Sequence, residues 1–198
     1  MITPTHVVIN VALAHGRRGT AFLGDRLRRR LFVLGGLAPD VGLYALTAGA
    51  AIFYPAVRGL SLDETFRLVF DDLFYNEPLF LVAHNLLHAP LVLVALAGAG
   101  TWARRRTAYT RLGGALQAFA LGCAVHTVLD IGVHHDDGPL LLFPFDWSYR
   151  FESPVSYYDP AHYGSIVAPI DLAITVVGLT LITAAWVRRR RARRPVDA

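Results

Sequence analysis

The sequence has no lysine, a single cysteine and few charges of either sign. Cys123 stands alone among 198 residues, which excludes a disulfide framework and any cluster held by thiolates. Charged residues are 17% and apolar residues 54% of the chain. An ordinary soluble domain carries roughly 25% charged residues, so a globule surrounded by water is not expected. The sequence also lacks a phosphate-cradling glycine loop, a Gly-x-Ser-x-Gly elbow, a Cys-x-x-Cys pair and any internal repeat. A metal, if there is one, must be held by histidine and carboxylate.

What the chain does have is apolar length. Crossing a hydrocarbon core of about 30 Å takes roughly 20 helical residues. Four windows reach that length: Leu31 to Val57, interrupted only by Asp40; Leu79 to Ala103, carrying His84 and His88; Leu112 to Val133, carrying His126 and Asp130; and Ile166 to Val187, with Asp171 near its start. Val7 to Ala14 is long enough only for a half-helix, and no basic leader precedes it, so a cleaved signal peptide is not expected. The expected architecture is an all-α membrane protein of about four transmembrane helices plus a short N-terminal half-helix. Residues 1–187 form a single integral membrane domain and residues 188–198 an arginine-rich cytoplasmic tail.

All 19 basic residues are arginine, and sixteen of them fall at residues 17–30, 104–111 and 188–194. The intervening connections are acidic, with Asp63, Glu64, Asp71, Asp72 and Glu77 in one and Asp136, Asp137, Asp146, Glu152 and Asp159 in the other. Arginine on alternate connections is the positive-inside pattern, and it places both termini in the cytoplasm. Phe143, Phe145, Trp147, Tyr149 and Phe151 on the outer side, and Trp102 and Trp186 on the inner, suit headgroup depth. The arginine tail reads as an anchor to anionic lipid; no nucleic-acid partner is expected.

Ionisable groups inside such spans cost about 2.5–3.5 kcal/mol each on insertion scales and mark partners or cavities. His84 and His88 are four residues apart, and His126, Asp130 and His134 repeat that spacing, so each set shares one helix face. Counting helical rise puts His88 and His126 roughly 10–14 Å below the outer surface. Asp40 lies near mid-depth, and a half-helix from Thr5 would carry His6 to the same level. Gly35-Gly36-Leu37-Ala38-Pro39 breaks the first span beside Asp40, and irregular backbone at that depth must line a site or be covered by protein. Asp40 can also cap the restarted helix.

Taken singly, each of these histidines fits a core residue bonded to a carbonyl. Together, His6, Asp40, His84, His88, His126, Asp130 and His134 fit the ligands of a divalent metal, zinc first and manganese or iron as alternatives. The cation would offset the burial of the carboxylates. His135, Asp137, Asp159 and His162 form a possible additional site. Asp130 or Asp136 is placed to take a proton, and Arg150, beside Trp147 and Tyr149, to hold an anionic headgroup. His15, Asp25, Asp71, Asp72 and Asp171 suit interface, capping or loop roles, and Cys123 suits packing.

At Thr5-His6, Gly36-Leu37-Ala38-Pro39-Asp40, His84 to His88 running into Ala89-Pro90-Leu91, and Leu121-Gly122 to His126 to Asp130, the chain resembles the YdjM-like family of predicted membrane-bound metal-dependent hydrolases. That family is often compared with zinc-dependent phospholipase C. The stretches come in the family's order and cover most of residues 1–147. The resemblance implies a multi-pass protein of the bacterial cytoplasmic membrane in which His6, Asp40, His84, His88, His126 and Asp130 bind metal for hydrolysis. The family's Pro-Asp-x-Asp-His is not kept: Gly42 and Leu43 stand at its last two positions. A second metal would therefore depend on His134, His135 or Asp136.

The expected function is an intramembrane metallohydrolase acting on a phosphoester of a lipid or lipid-linked substrate, with its site towards the extracytoplasmic half of the bilayer. A membrane metal-ion or proton transporter and a di-iron desaturase or hydroxylase are the alternatives. A transporter of this kind often carries inverted repeats, and a di-iron enzyme of this kind commonly needs eight or more histidine ligands, where the chain has eight histidines in total.

Overall fold

The computed structural model describes residues 1–192, and those residues are helical apart from their connections and one long loop. Helix α1 (Thr3–His15) starts at Pro4, whose missing N–H is no loss in a first turn. Helix α2 (Arg17–Leu23) ends at Gly24, at φ 70°. Asp25 then caps α3 (Arg26–Leu34) by accepting from the Arg28 amide at 3.0 Å, and that hydrogen bond holds its carboxyl below the usual range. Helix α4 (Ala38–Phe53) continues through a wide turn to Arg58. The Ser61–Glu64 capping box opens α5 (Leu62–Arg67). Short α6 (Phe74–Asn76) and α7 (Pro78–Asn85) lead to α8 (Pro90–Arg104), α9 (Thr110–Val133) and α10 (Gly164–Arg191).

Among the described residues, three stretches are long and apolar enough to cross a membrane: Ala38–Arg58, Thr107–Val133 and Gly164–Arg191. The pair α7 and α8 makes a fourth crossing only as a bent unit, with 51° between its halves. An unbroken Leu79–Ala103 span is thus corrected. Pro90 removes a helical N–H and disfavours helical backbone at Ala89, which is extended at φ −70°, ψ 124°. The first window is corrected as well: Leu31 to Leu34 ends α3, and the crossing begins at Ala38. Helix α10 runs on through Arg188–Arg191, the first residues of the expected arginine tail. Arg193, Arg194 and the remainder of that expected tail lie outside the described residues.

Helix α9 is the centre, flanked by α3 and α8. Helix α1 lies on α3 and α10, and α4 lies on α7. Close approach of α3 to α9 depends on small residues, as is usual between membrane helices. A Cβ on Gly122 would stand 2.1 Å from the Phe32 carbonyl oxygen, and one on Gly35 would stand 2.6 Å from the Cys123 nitrogen. Cys123 is a buried packing residue. Asn10 of α1 joins both helices by donating to Phe32 O at 2.9 Å and Gly122 O at 3.1 Å. Between α9 and α10 the chain folds over the top of the bundle, burying Leu140 and Phe143 against Leu81 and Ala89.

Candidate metal centre

Helix α9 sets the site. His126 and Asp130, one turn apart, project from one face, while Asp40 enters from the first turn of α4 and His88 from the break between α7 and α8. Their donor atoms all lie within 4.8 Å of one another. His126 Nε2 is 3.0 Å from Asp130 Oδ2 and 3.5 Å from Asp40 Oδ1. His88 Nε2 is 3.4 Å from each of the same oxygens and 3.0 Å from His126 Nε2. Ligands about 2.0–2.1 Å from a tetrahedral ion stand roughly 3.3–3.4 Å apart, so these His–His and His–carboxylate separations fit donors that share one divalent cation.

The hydrogen bonds behind the imidazoles say the same. His126 Nδ1 lies 3.1 Å from Gly36 O, and His88 Nδ1 lies 2.5 Å from His84 O. A carbonyl only accepts, so each Nδ1 carries the proton and each neutral ring turns an Nε2 lone pair inward. Two lone pairs 3.0 Å apart, beside two carboxylates and with both rings fully buried, repel unless a cation or proton lies between them. A carbonyl bonded to the outer nitrogen is the usual way a metal-binding histidine is oriented.

The remaining expected ligands fall around this group. His6 stacks on His126 with centroids 3.7 Å apart, and its Nε2 is 2.9 Å from Asp130 Oδ1. His134 continues the stripe past the end of α9, with Nε2 3.4 Å from the same oxygen and Nδ1 2.9 Å from Asp137. His84 is not in the group of four. Its ring stacks on His88 at 4.4 Å and neither of its nitrogens has a hydrogen-bond partner. Asp137 therefore belongs beside His134, whereas His135, His162 and Asp159 assemble separately. His135 stacks on His162 at 3.6 Å and bonds Ser153 O, while His162 Nδ1 meets Asp159 at 2.7 Å. That bond depresses the Asp159 pKa.

Asp40 and Asp130 form the floor of a cavity of about 710 Å³. Its wall carries Asp71, Asp136 and Asp137 and the phenols of Tyr44, Tyr75, Tyr157 and Tyr158, and no arginine. Burial, followed by the charges of Asp136 and Asp137, pushes Tyr75 up to about 12, and burial raises Tyr157 and Tyr158 as well. All three stay neutral hydrogen-bond donors. Asp136 accepts from Tyr158 at 3.3 Å. Arg150 is not among the lining residues; its guanidinium donates to Gly138 O and lies 5.1 Å from the Phe74 ring and 5.5 Å from the Tyr75 ring, both of which line the cavity.

Several supporting residues were not expected. Thr3 donates to Asp40 and lies 2.5 Å from the Tyr44 hydroxyl. Asn85, fully buried, donates to Leu81 O at 2.8 Å and accepts from the Leu140 amide at 2.7 Å, pinning the outer loop over the α7–α8 break. Asp171, expected in an interface, capping or loop role, serves the start of α1. It is buried within α10 and accepts from the Ile2 amide at 2.8 Å, which fixes the start of α1. The one signal for Asn10 and Asn85 was an amide inside an apolar run. Comparison with family models, curated proteins and solved structures finds no match.

Proposed function

We propose that the protein is a metal-dependent hydrolase of the bacterial cytoplasmic membrane, cleaving a phosphoester in a lipid or lipid-linked substrate. The observation that carries this reading is the convergence of one donor atom each from Asp40, His88, His126 and Asp130, all within 4.8 Å of one another, beside an open cavity. A divalent cation there, zinc by ligand type, supplies Lewis-acid polarisation and water of pKa near about 7. The resemblance to the YdjM-like family points the same way.

The chain's own residues take the other roles. Both oxygens of Asp130 face imidazoles, so the proton passes to His134, which Asp137 orients through Nδ1. Tyr157 donates to a free oxygen of the ester. Asp136 serves as a second proton acceptor at the cavity wall. A wall of carboxylates and phenols without arginine suits a headgroup bearing positive charge beside its phosphate. His6 and Thr3 hold Asp130 and Asp40 in place.

The test is hydrolysis of defined phospholipids and polyprenyl phosphoesters by the detergent-purified protein, with and without chelator. Turnover that the chelator stops, zinc restores and the His88→Ala, His126→Ala variant lacks supports the proposal. Metal-bound protein that cleaves none of the panel yet passes ions in proteoliposomes, or shows iron absorption, refutes it.

A further inference from the structure

A second cavity of about 620 Å³, which shares no lining residue with the first, opens along α8 and α9 and reaches the arginine-rich side of the bundle. It extends along α9 from Gly114 to Ile131, about 25 Å at helical rise. The walls are apolar, and the outer ones face the surroundings: Val94 is 69% and Val128 68% exposed. An apolar trough of this length on a membrane helix pair takes an acyl chain. Its polar end is specific. Arg28 and Arg104 both line it, and Arg26, Arg29, Arg30, Arg105, Arg106 and Arg111 lie within a few residues of them in sequence.

The Arg28 side chain has a place built for it. Its guanidinium lies on the bare backbone of Gly114, where a Cβ would come within 2.6 Å of Nη2. Its Nε is buried, 3.3 Å from Asp25 Oδ2, and makes no hydrogen bond. Arg104 donates through Nη1 to Gln117 Oε1 at 2.8 Å, which aims the guanidinium and leaves further N–H donors free. Asp25 is the one carboxylate paired here, so two cations meet a single anion at the mouth of an apolar trough.

We infer that this groove is a binding site for an anionic phospholipid, with one acyl chain between α8 and α9 and the phosphate held by Arg28 and Arg104. Guanidinium matches phosphate in shape and charge, and anionic lipid is concentrated at the arginine-rich face of a membrane. The site is separate from the proposed catalytic cavity and does not depend on its chemistry.

Native mass spectrometry tests this on the protein in neutral maltoside, equilibrated with phosphatidylglycerol and phosphatidylcholine of identical chains. One phosphatidylglycerol retained per chain, with about a tenfold preference that weakens with salt, is the expected result. The Arg28→Gln, Arg104→Gln variant loses the preference. Val94→Trp fills the trough, removes no charge and lowers occupancy by both lipids. Equal retention of the two lipids by the unaltered protein overturns the inference, as does a lipid-free dimer that buries the groove. Unchanged preference in the double arginine variant places any bound lipid elsewhere and overturns it too.

Discussion

Replacing Gly122 by alanine should damage both the bundle and the metal centre, although the residue supplies no ligand atom. The new Cβ would stand 2.1 Å from Phe32 O, 2.9 Å from Phe32 C and 3.0 Å from Phe32 Cα. Those are backbone atoms, and ordinary contact is about 3.5 Å or more, so α3 must retreat by about 1.4 Å. Overpacking of this kind costs about 1–3 kcal/mol. The same shift pulls Phe32 O and Gly122 O apart at their shared donor, Asn10 Nδ2, at about 1 kcal/mol for each hydrogen bond. Gly36, just past the end of α3, orients His126 through its carbonyl at 3.1 Å. Disturbing such a partner typically lowers metal affinity 10–100-fold. Thermal unfolding in detergent and competitive zinc titration measure the two effects. Gly98→Ala is the control, since nothing lies within 4 Å of that position. If Gly122→Ala matched wild type in both measurements, the link from helix contact to ligand orientation would be wrong.

Asn85→Leu leaves the buried Leu140 amide without its acceptor, at a cost of about 1–3 kcal/mol; lowered stability in SDS titration and weaker metal binding are expected, and wild-type values for both would count against the pin. His135→Ala leaves metal content unchanged, because that ring stacks on His162 and bonds Ser153 O away from the four donors; elemental analysis showing lost metal would contradict this placement. Asp159 has a depressed pKa, chiefly through His162, so the stability it adds is present above the ordinary aspartate pKa of about 3.9 and lost as pH falls below it. The Ala161 amide, bonded to Asp159 Oδ1 at 2.9 Å, should then lose hydrogen-exchange protection relative to its intrinsic rate; protection that stays constant through that range argues against the coupling.

Much of the centre was readable because helical spacing is rigid. His126 and Asp130 had to share a face, and Asp40 had to lie beside a broken backbone. The same reasoning assumed a continuous helix where Pro90 imposes a bend; His88 joins the four donors, while His84 stacks on it and lines the cavity. His134 and His135 are neighbours in sequence yet part company because α9 ends at Val133. There the Asp130 carbonyl still accepts from the His134 amide at 3.0 Å, and His135 turns to Ser153. The hydrogen-bond partners of Asn10, Asn85 and Asp171 come from distant parts of the chain, and local pattern carries no information about such pairings.

The most direct measurement is the metal content and coordination of the purified protein. Elemental analysis should find one divalent ion per chain, with X-ray absorption giving about four nitrogen and oxygen ligands at about 2.0–2.2 Å, both lost in the His88→Ala, His126→Ala variant. Metal-free protein that cannot be loaded, or a double variant that keeps its ion, would contradict the account.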